Sequence, residues 1–137
     1  MALKITLKSG ERMILGGAAV TNGSAGSCDL IIENKAPILR QKDIMTEAGA
    51  DSPCKRLYLS IQLMYIDETN LPRYYKVYWD LVRDLTQAAP SMVGLIDAIS
   101  EQIFQRNYYQ ALRLTKRLIA YEEEVIARVS STVASVR

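Results

Sequence analysis

The chain has no histidine, and its two cysteines, Cys28 and Cys54, stand too far apart for any metal-ligand spacing. Without histidine the commonest general base is missing and a mixed Cys/His zinc site cannot be built, so no metal, no cofactor and no enzyme chemistry are expected. Two thiols outside a secretory pattern read as reduced and structural. Long apolar runs are absent as well. The opening MALKITLKSGERMILGG lacks the continuous core of a signal peptide, and no stretch approaches the ~18 apolar residues of a membrane span, so a cytoplasmic protein with no membrane partner is expected. Excess charge of one sign is also missing. The net charge is +2, with six Lys/Arg and six Asp/Glu through Asp51 and eleven and nine beyond it. Any electrostatic function must therefore rest on where the cations cluster.

What is present is globular. Hydrophobic residues make up 49% of the 137 and charged residues 23%, and a chain of this length buries roughly two-thirds of its unfolded surface. Residues 1 to about 45 alternate in short runs between turn residues, the pattern of a small antiparallel sheet. Leu3, Ile5 and Leu7 share one face of the first strand and Lys4, Thr6 and Lys8 the other. Further strands are expected over Arg12–Leu15, which ends in Gly16-Gly17, over Ala18–Asn22, over Cys28–Glu33, and over Ile38–Ile44 after the break at Pro37. Five such strands bury little alone and must pack on something.

Near residue 46 the period becomes helical. Asp51 or Ser52 can cap a helix that starts at Pro53 and carries Leu57, Ile61, Met64 and Tyr65. A second stripe runs from Tyr74 to Leu85, a third carries Leu95, Ile96, Ile99 and Ile103, and the last helix starts at about Tyr108. Its seam places Leu112, Ile119, Ile126 and Val133 at sevenfold spacing, with Thr115, Glu122, Val129 and Val136 offset by three, and Thr115 and Glu122 interrupt it. The expected fold is α+β, a five-stranded N-terminal domain over 1–50 followed by a domain of about four helices over 51–137.

The carboxylates do not suggest catalysis. Glu122-Glu123-Glu124 reads as a solvated helix face, and so does the pair Asp80 and Asp84 beside Arg83. The glycine turns lack a phosphate-loop fingerprint. Binding is the better prospect. Lys4 and Lys8, joined by Arg12, Arg40 and Lys42 if the first, second and fifth strands lie close, form a candidate RNA face; the alternative is a charged edge that deters aggregation. A second cluster, Arg106, Arg113, Lys116 and Arg117, reads as a solvated helix surface. All eight tyrosines fall in the helical half. Most read as packing between helices, with Tyr74, Tyr75, Trp79, Tyr108 and Tyr109 the candidates for a protein partner.

Five segments in order carry a family resemblance: MALKITLKSGERMILGGAAVTNG, Ala36 to Arg40 with Lys42-Asp43-Ile44, Leu57-Tyr58-Leu59 with Gln62 to Tyr65, Gln87 to Ser91, and Leu118 to Glu123. Over residues 1 to about 126 the chain resembles the FlbT family of alphaproteobacterial flagellin regulators. The resemblance implies a cytoplasmic post-transcriptional regulator that binds the 5′ untranslated region of flagellin mRNA and controls its translation and decay. It implies action together with the protein FlaF, and a sign of regulation that differs among members. The sheet alone is similar to the carbon storage regulator family, through Gly10-Glu11, Leu15-Gly16, Ala36-Pro37 and Asp43-Ile44. That family exchanges its first and last strands in a homodimer; the alignment puts its first basic position at Leu7 or Lys8 and its arginine at Arg40 or Gln41, and Lys8 and Arg40 are the RNA contacts the likeness implies. The competing reading is an adaptor or chaperone that holds flagellin or FlaF through the helical half.

Overall fold

The computed structural model describes residues 2–136, with side chains as far as residue 129. Five strands precede four helices, so the architecture is the α+β arrangement that the change of period predicts. The chain divides into two compact units. Unit 1 comprises Met1–Ile44 with Ile66–Glu68, and unit 2 comprises Met45–Tyr65 with Thr69–Arg137.

In unit 1, β1 (Leu3–Leu7) pairs antiparallel with β4 (Cys28–Ile32), while β2 (Arg12–Leu15) lies between β3 (Ala18–Thr21) and β5 (Ile38–Arg40). The β2–β3 hairpin turns on Gly16-Gly17, with Gly16 at a φ of 62°. A tight hairpin needs a positive φ at that first central position, and glycine supplies it at no steric cost. Ile5, Leu7 and Met13 form the core, with Leu15, Val20, Cys28, Leu30, Ile32 and Ile38 packed around them. Strand alternation therefore buries Ile5 and Leu7 as expected. Leu3, at the strand start, is 52% exposed and does not join them.

The fifth strand is shorter than the expected extended segment Ile38–Ile44. After Arg40 the backbone turns into a single 3-10 turn, Gln41–Asp43. Continued pairing would bring Gln41 opposite Arg12, since Met13 already faces Arg40. Instead the Arg12 N–H donates to the Gln41 Oε1 at 2.7 Å. The glutamine side chain thus replaces the next rung of the ladder and frees the main chain to leave the sheet.

Unit 2 contains α1 (Pro53–Ile66), α2 (Leu71–Ala88), α3 (Val93–Phe104) and α4 (Tyr108–Val136). Ser52 caps α1, its Oγ accepting the Lys55 N–H at 3.2 Å, and Pro53 occupies the first turn as the sequence predicts. The run at Glu122 does not behave as a solvated face throughout. Glu122 is buried, and its carboxylate accepts the Ser52 hydroxyl at 2.5 Å and the Cys54 N–H at 3.2 Å. An anion there answers the free donors and the positive end of the α1 dipole. Thr115 is buried too, and donates back to the Ala111 carbonyl at 2.7 Å. The two residues that interrupt the seam are therefore accommodated by hydrogen bonds. Ile126 and Val129, further along, are exposed, and Val133 and Val136 lie outside the described side chains.

Tyrosine hydroxyls tie the helices of unit 2 together. Tyr75 and Tyr108 share a hydrogen bond of 2.6 Å between α2 and α4, and Tyr78 meets Ser100 of α3 at 2.7 Å. Tyr121 reaches Ser91 at 2.8 Å. Burial pushes the Tyr78 phenol up to about 12, so it stays protonated as a partner for Ser100.

Candidate nucleic-acid interface

The candidate RNA face is built on a turn that Asn22 holds in place. Lys8 to Glu11 closes with the Glu11 N–H donating to the Lys8 carbonyl at 3.0 Å, and Gly10 supplies the left-handed residue at φ 73°. The buried Asn22 Nδ2 donates to the carbonyls of Leu7, Lys8 and Gly26 at 3.0, 3.1 and 2.9 Å. Its Oδ1 accepts the Ser24 N–H and hydroxyl, and its main chain exchanges hydrogen bonds with Gly10 and Glu11. One side chain thus fixes the end of β1 against the loop after β3. Strand alternation places Asn22 at a strand end and does not disclose this role; the Asn22-Gly23 pair following a strand is the signal for it.

Beside this turn lies a shallow depression of about 550 Å³, lined by Lys8, Ser9, Gly10, Glu11, Gln41 and Lys42. Glu11 is the only carboxylate in that lining, and it is already engaged. It accepts the Lys8 N–H at 2.9 Å and the Arg40 guanidinium at 3.1 Å, and these bonds hold its carboxyl below the usual range, the Lys8 N–H contributing most. Among the described residues, neither the Lys8 nor the Lys42 ammonium has a carboxylate within ion-pair distance.

The five cationic candidates therefore separate. Lys8 and Lys42 share the depression, and Arg12 is an exposed neighbour held through its N–H to Gln41. Arg40 is half-buried and faces inward, with its Nη2 donating to the Thr6 carbonyl at 3.0 Å as well as to Glu11, so it braces β5 against β1. Lys4 lies further along β1 and is 3.5 Å from Asp29, which also accepts the Thr6 hydroxyl at 2.7 Å. Those contacts hold the Asp29 carboxyl below its usual range, the Thr6 bond first and Lys4 next. The outer face of β1 is consequently neutralised at Lys4 and cationic at Lys8.

The aromatic candidates of unit 2 also divide. Tyr108 is buried and Tyr75 bonded to it. Trp79 is 52% exposed, edge-on to Tyr78 with ring centroids 5.1 Å apart. Tyr109 is partly exposed and tilted against Tyr65. Tyr74 lines a hollow of about 440 Å³ between α1 and α2, floored by Leu59, Leu63, Val77 and Leu81 with Arg56 and Arg73 beside them. The Cys54 thiol is buried against Glu122, and both burial and that carboxylate push its pKa up, which makes it a poor nucleophile. Among the described residues no group of three potential metal ligands forms, and no helix is long and apolar enough to cross a membrane.

Residues 3–126 match the model of the family described as flagellar protein FlbT. The chain belongs to the FlbT family. It is similar to a probable flagellum biosynthesis repressor protein FlbT from Rhodopseudomonas palustris, 39% identical over 93% of this chain and all of that protein. It is also similar to the flagellum biosynthesis repressor protein FlbT of Caulobacter vibrioides, 37% identical over 98% of this chain and 96% of that one. A probable FlbT repressor of Bradyrhizobium diazoefficiens is 40% identical over 96% of this chain and 90% of its own length. No solved structure matches the chain. The FlbT membership agrees with the resemblance carried by the five segments.

Proposed function

We propose that this chain is a cytoplasmic regulator of flagellum biosynthesis that binds the 5′ untranslated region of flagellin mRNA and lowers its translation or lifetime. The FlbT relatives are named flagellum biosynthesis repressors, which supports the regulatory part and the sign. The observation that carries the RNA part is the pair Lys8 and Lys42 in one depression whose single carboxylate, Glu11, is bound elsewhere. Two ammonium groups meet phosphates, while Gln41, whose Oε1 is held by the Arg12 N–H, can donate through its Nε2 to an unstacked base. Arg40 serves this surface by fixing β5 and Glu11 rather than by touching RNA. Filter binding to a flagellin leader RNA at several salt concentrations tests the reading. Lys8→Ala with Lys42→Ala removes two phosphate contacts and flattens the salt dependence by about 1.4 in log–log slope for a single strand. Saturable binding unchanged by that double variant overturns it.

The adaptor reading has its own support in the hollow between α1 and α2, where Val77 is 45% exposed on an apolar floor. There the helical unit holds FlaF or flagellin, and control of the message is indirect. A complex of this chain with FlaF or flagellin that Val77→Glu abolishes, in a protein that binds no leader RNA, favours it.

A further inference from the structure

Outside residues 102–121, four of the six described cations of unit 2 pair with a carboxylate three or four residues away. Lys55 pairs with Asp51, Lys76 with Asp80, Arg83 with Asp80 and Asp84, and Arg128 with Glu124. The first half of α4 departs from this. From Gln102 to Tyr121 the sequence contains Arg106, Arg113, Lys116 and Arg117 and no acidic residue at all. All four are exposed, and among the described residues no carboxylate lies within ion-pair distance of Arg106, Arg113 or Arg117.

Helical geometry collects these groups on one side. At 100° per residue, Tyr109, Arg113, Lys116 and Ala120 fall within a strip about 60° wide, and Arg117 lies about 40° beyond it, so the whole set spans about 100° of the helix. The opposite side of α4 is consumed by the core, through Ala111, Leu112, Thr115 and Leu118. Arg113 and Arg117 stand one turn apart, roughly the spacing of successive phosphates along a single strand. Aromatic groups accompany them. Phe104, the only phenylalanine in the chain, is 86% exposed at the end of α3, and Tyr109 is 39% exposed at the head of the strip. Arg106 sits between them at a φ of 61°, a left-handed conformation uncommon for a residue with a side chain.

We propose that this face of α4 is a second nucleic-acid site, which tracks the backbone of a single strand through Arg113 and Arg117 while Phe104 and Tyr109 stack on its bases. Arg113 and Arg117 one turn apart, with no carboxylate in ion-pair distance among the described residues, and exposed aromatic rings near the start of the helix are the elements of a sequence-tolerant single-strand binder. An acidic protein surface would meet the arginines but leave Phe104 without a role. The site rests on the RNA reading of unit 1 for its ligand and on none of its residues.

The probe is a fluorescent unstructured 20-nucleotide oligouridylate, titrated into the full chain by anisotropy at several salt concentrations. Arg113→Ala with Arg117→Ala is expected to lower affinity about tenfold and to reduce the log–log salt slope by about 1.4. Phe104→Ala is expected to weaken binding about fivefold or more with the slope unchanged, because stacking releases no counterions. These side chains are exposed, so circular dichroism melting should match the parent. Oligouridylate binding that survives both variants overturns the proposal, and so does a failure of the parent chain to bind this probe. If the arginine variant loses affinity equally for an acidic decapeptide while Phe104→Ala changes nothing, the face is a protein site and the proposal falls. The outcome is separable from that of unit 1. Loss only in the Lys8/Lys42 variant sinks this site and leaves the first, whereas loss only in the arginine variant does the reverse.

Discussion

The two units solve the same problem with different materials. Unit 1 contains no tyrosine, tryptophan or phenylalanine, and its central cluster is three buried apolar residues with six partly buried ones around them. Polar side chains therefore define its shape: Asn22 makes the turn, Gln41 ends a strand, and the Arg40–Glu11 pair joins β5 to the turn after β1. Unit 2 has apolar stripes on every helix and uses polar groups at crossings, as Tyr78 does with Ser100 and Glu122 with the start of α1. A fold too small for a large core depends on hydrogen bonds that leave no acceptor unpaired, while a helical bundle tolerates their loss better than it tolerates a cavity. The surfaces differ accordingly. In unit 1, Lys4 and Arg40 are paired with carboxylates inside the sheet, while Lys8 and Lys42, past the strand ends, and the exposed Arg12 are not.

Removing core volume from unit 2 should give the largest effect. Leu118→Ala leaves a cavity at a fully buried position on α4 and should cost about 3–4 kcal/mol. Trp79 is the only tryptophan and belongs to unit 2, so its fluorescence during urea unfolding reads that loss. A change below about 1 kcal/mol would mean that the helices close over the gap, and the contrast between the units would weaken.

In unit 1 the matching experiment removes a hydrogen-bond hub. Asn22→Ala strips partners from three carbonyls and should cost about 2–3 kcal/mol, read as faster amide exchange at Gly10 and Glu11. Asn22→Asp keeps the acceptor for Ser24 but loses every Nδ2 donation, so it should fall close to alanine. An aspartate variant as stable as the parent would show that the Ser24 bonds, not the carbonyls, hold the turn.

These cases also mark what the sequence discloses. The alternation of Ile5 and Leu7, the Gly16-Gly17 turn, and the Ser52-Pro53 helix start are local, set by residues within a few positions of each other, and each reads directly from the chain. Gln41 does not, because the bond that ends β5 goes to Arg12, 29 residues earlier. Glu122 misleads for the same reason. As part of three consecutive glutamates it looks solvated, yet its partners are Ser52 and Cys54, and the one hint was its position on an apolar seam. Of the candidate RNA face, the lysines are visible in the pattern of β1, but Arg40 changes meaning once Glu11 is seen beside it.

Glu122→Ala tests how far unit 2 shares the dependence of unit 1 on buried polar groups. It strands the Cys54 N–H and the Ser52 hydroxyl at the start of α1 and should cost about 2 kcal/mol, between the two effects above and that of a single neutral bond. Tyr78→Phe, which removes one hydroxyl and leaves the ring packed, should cost about 1 kcal/mol. A larger loss for Tyr78→Phe than for Glu122→Ala would reverse this ranking of the helix cap over the crossing bond.

The smallest effect belongs to Glu11, whose carboxyl is partly exposed and held below its usual value of 4.5. A lowered folded-state pKa means that the folded state binds the proton less readily than the unfolded chain. Its contribution is complete above the unfolded value and drains away as pH falls through the folded one. The Lys8 amide, which donates to the Glu11 carboxylate, should therefore titrate by NMR with a midpoint below 4.5. Because that N–H is the first cause of the shift and Arg40 the second, Arg40→Gln should move the midpoint only part of the way back. A return to the ordinary carboxylate value would make the guanidinium, rather than the turn, the main hold on Glu11. The turn would then owe its shape to β5, and Asn22→Ala should leave the midpoint of Glu11 unmoved.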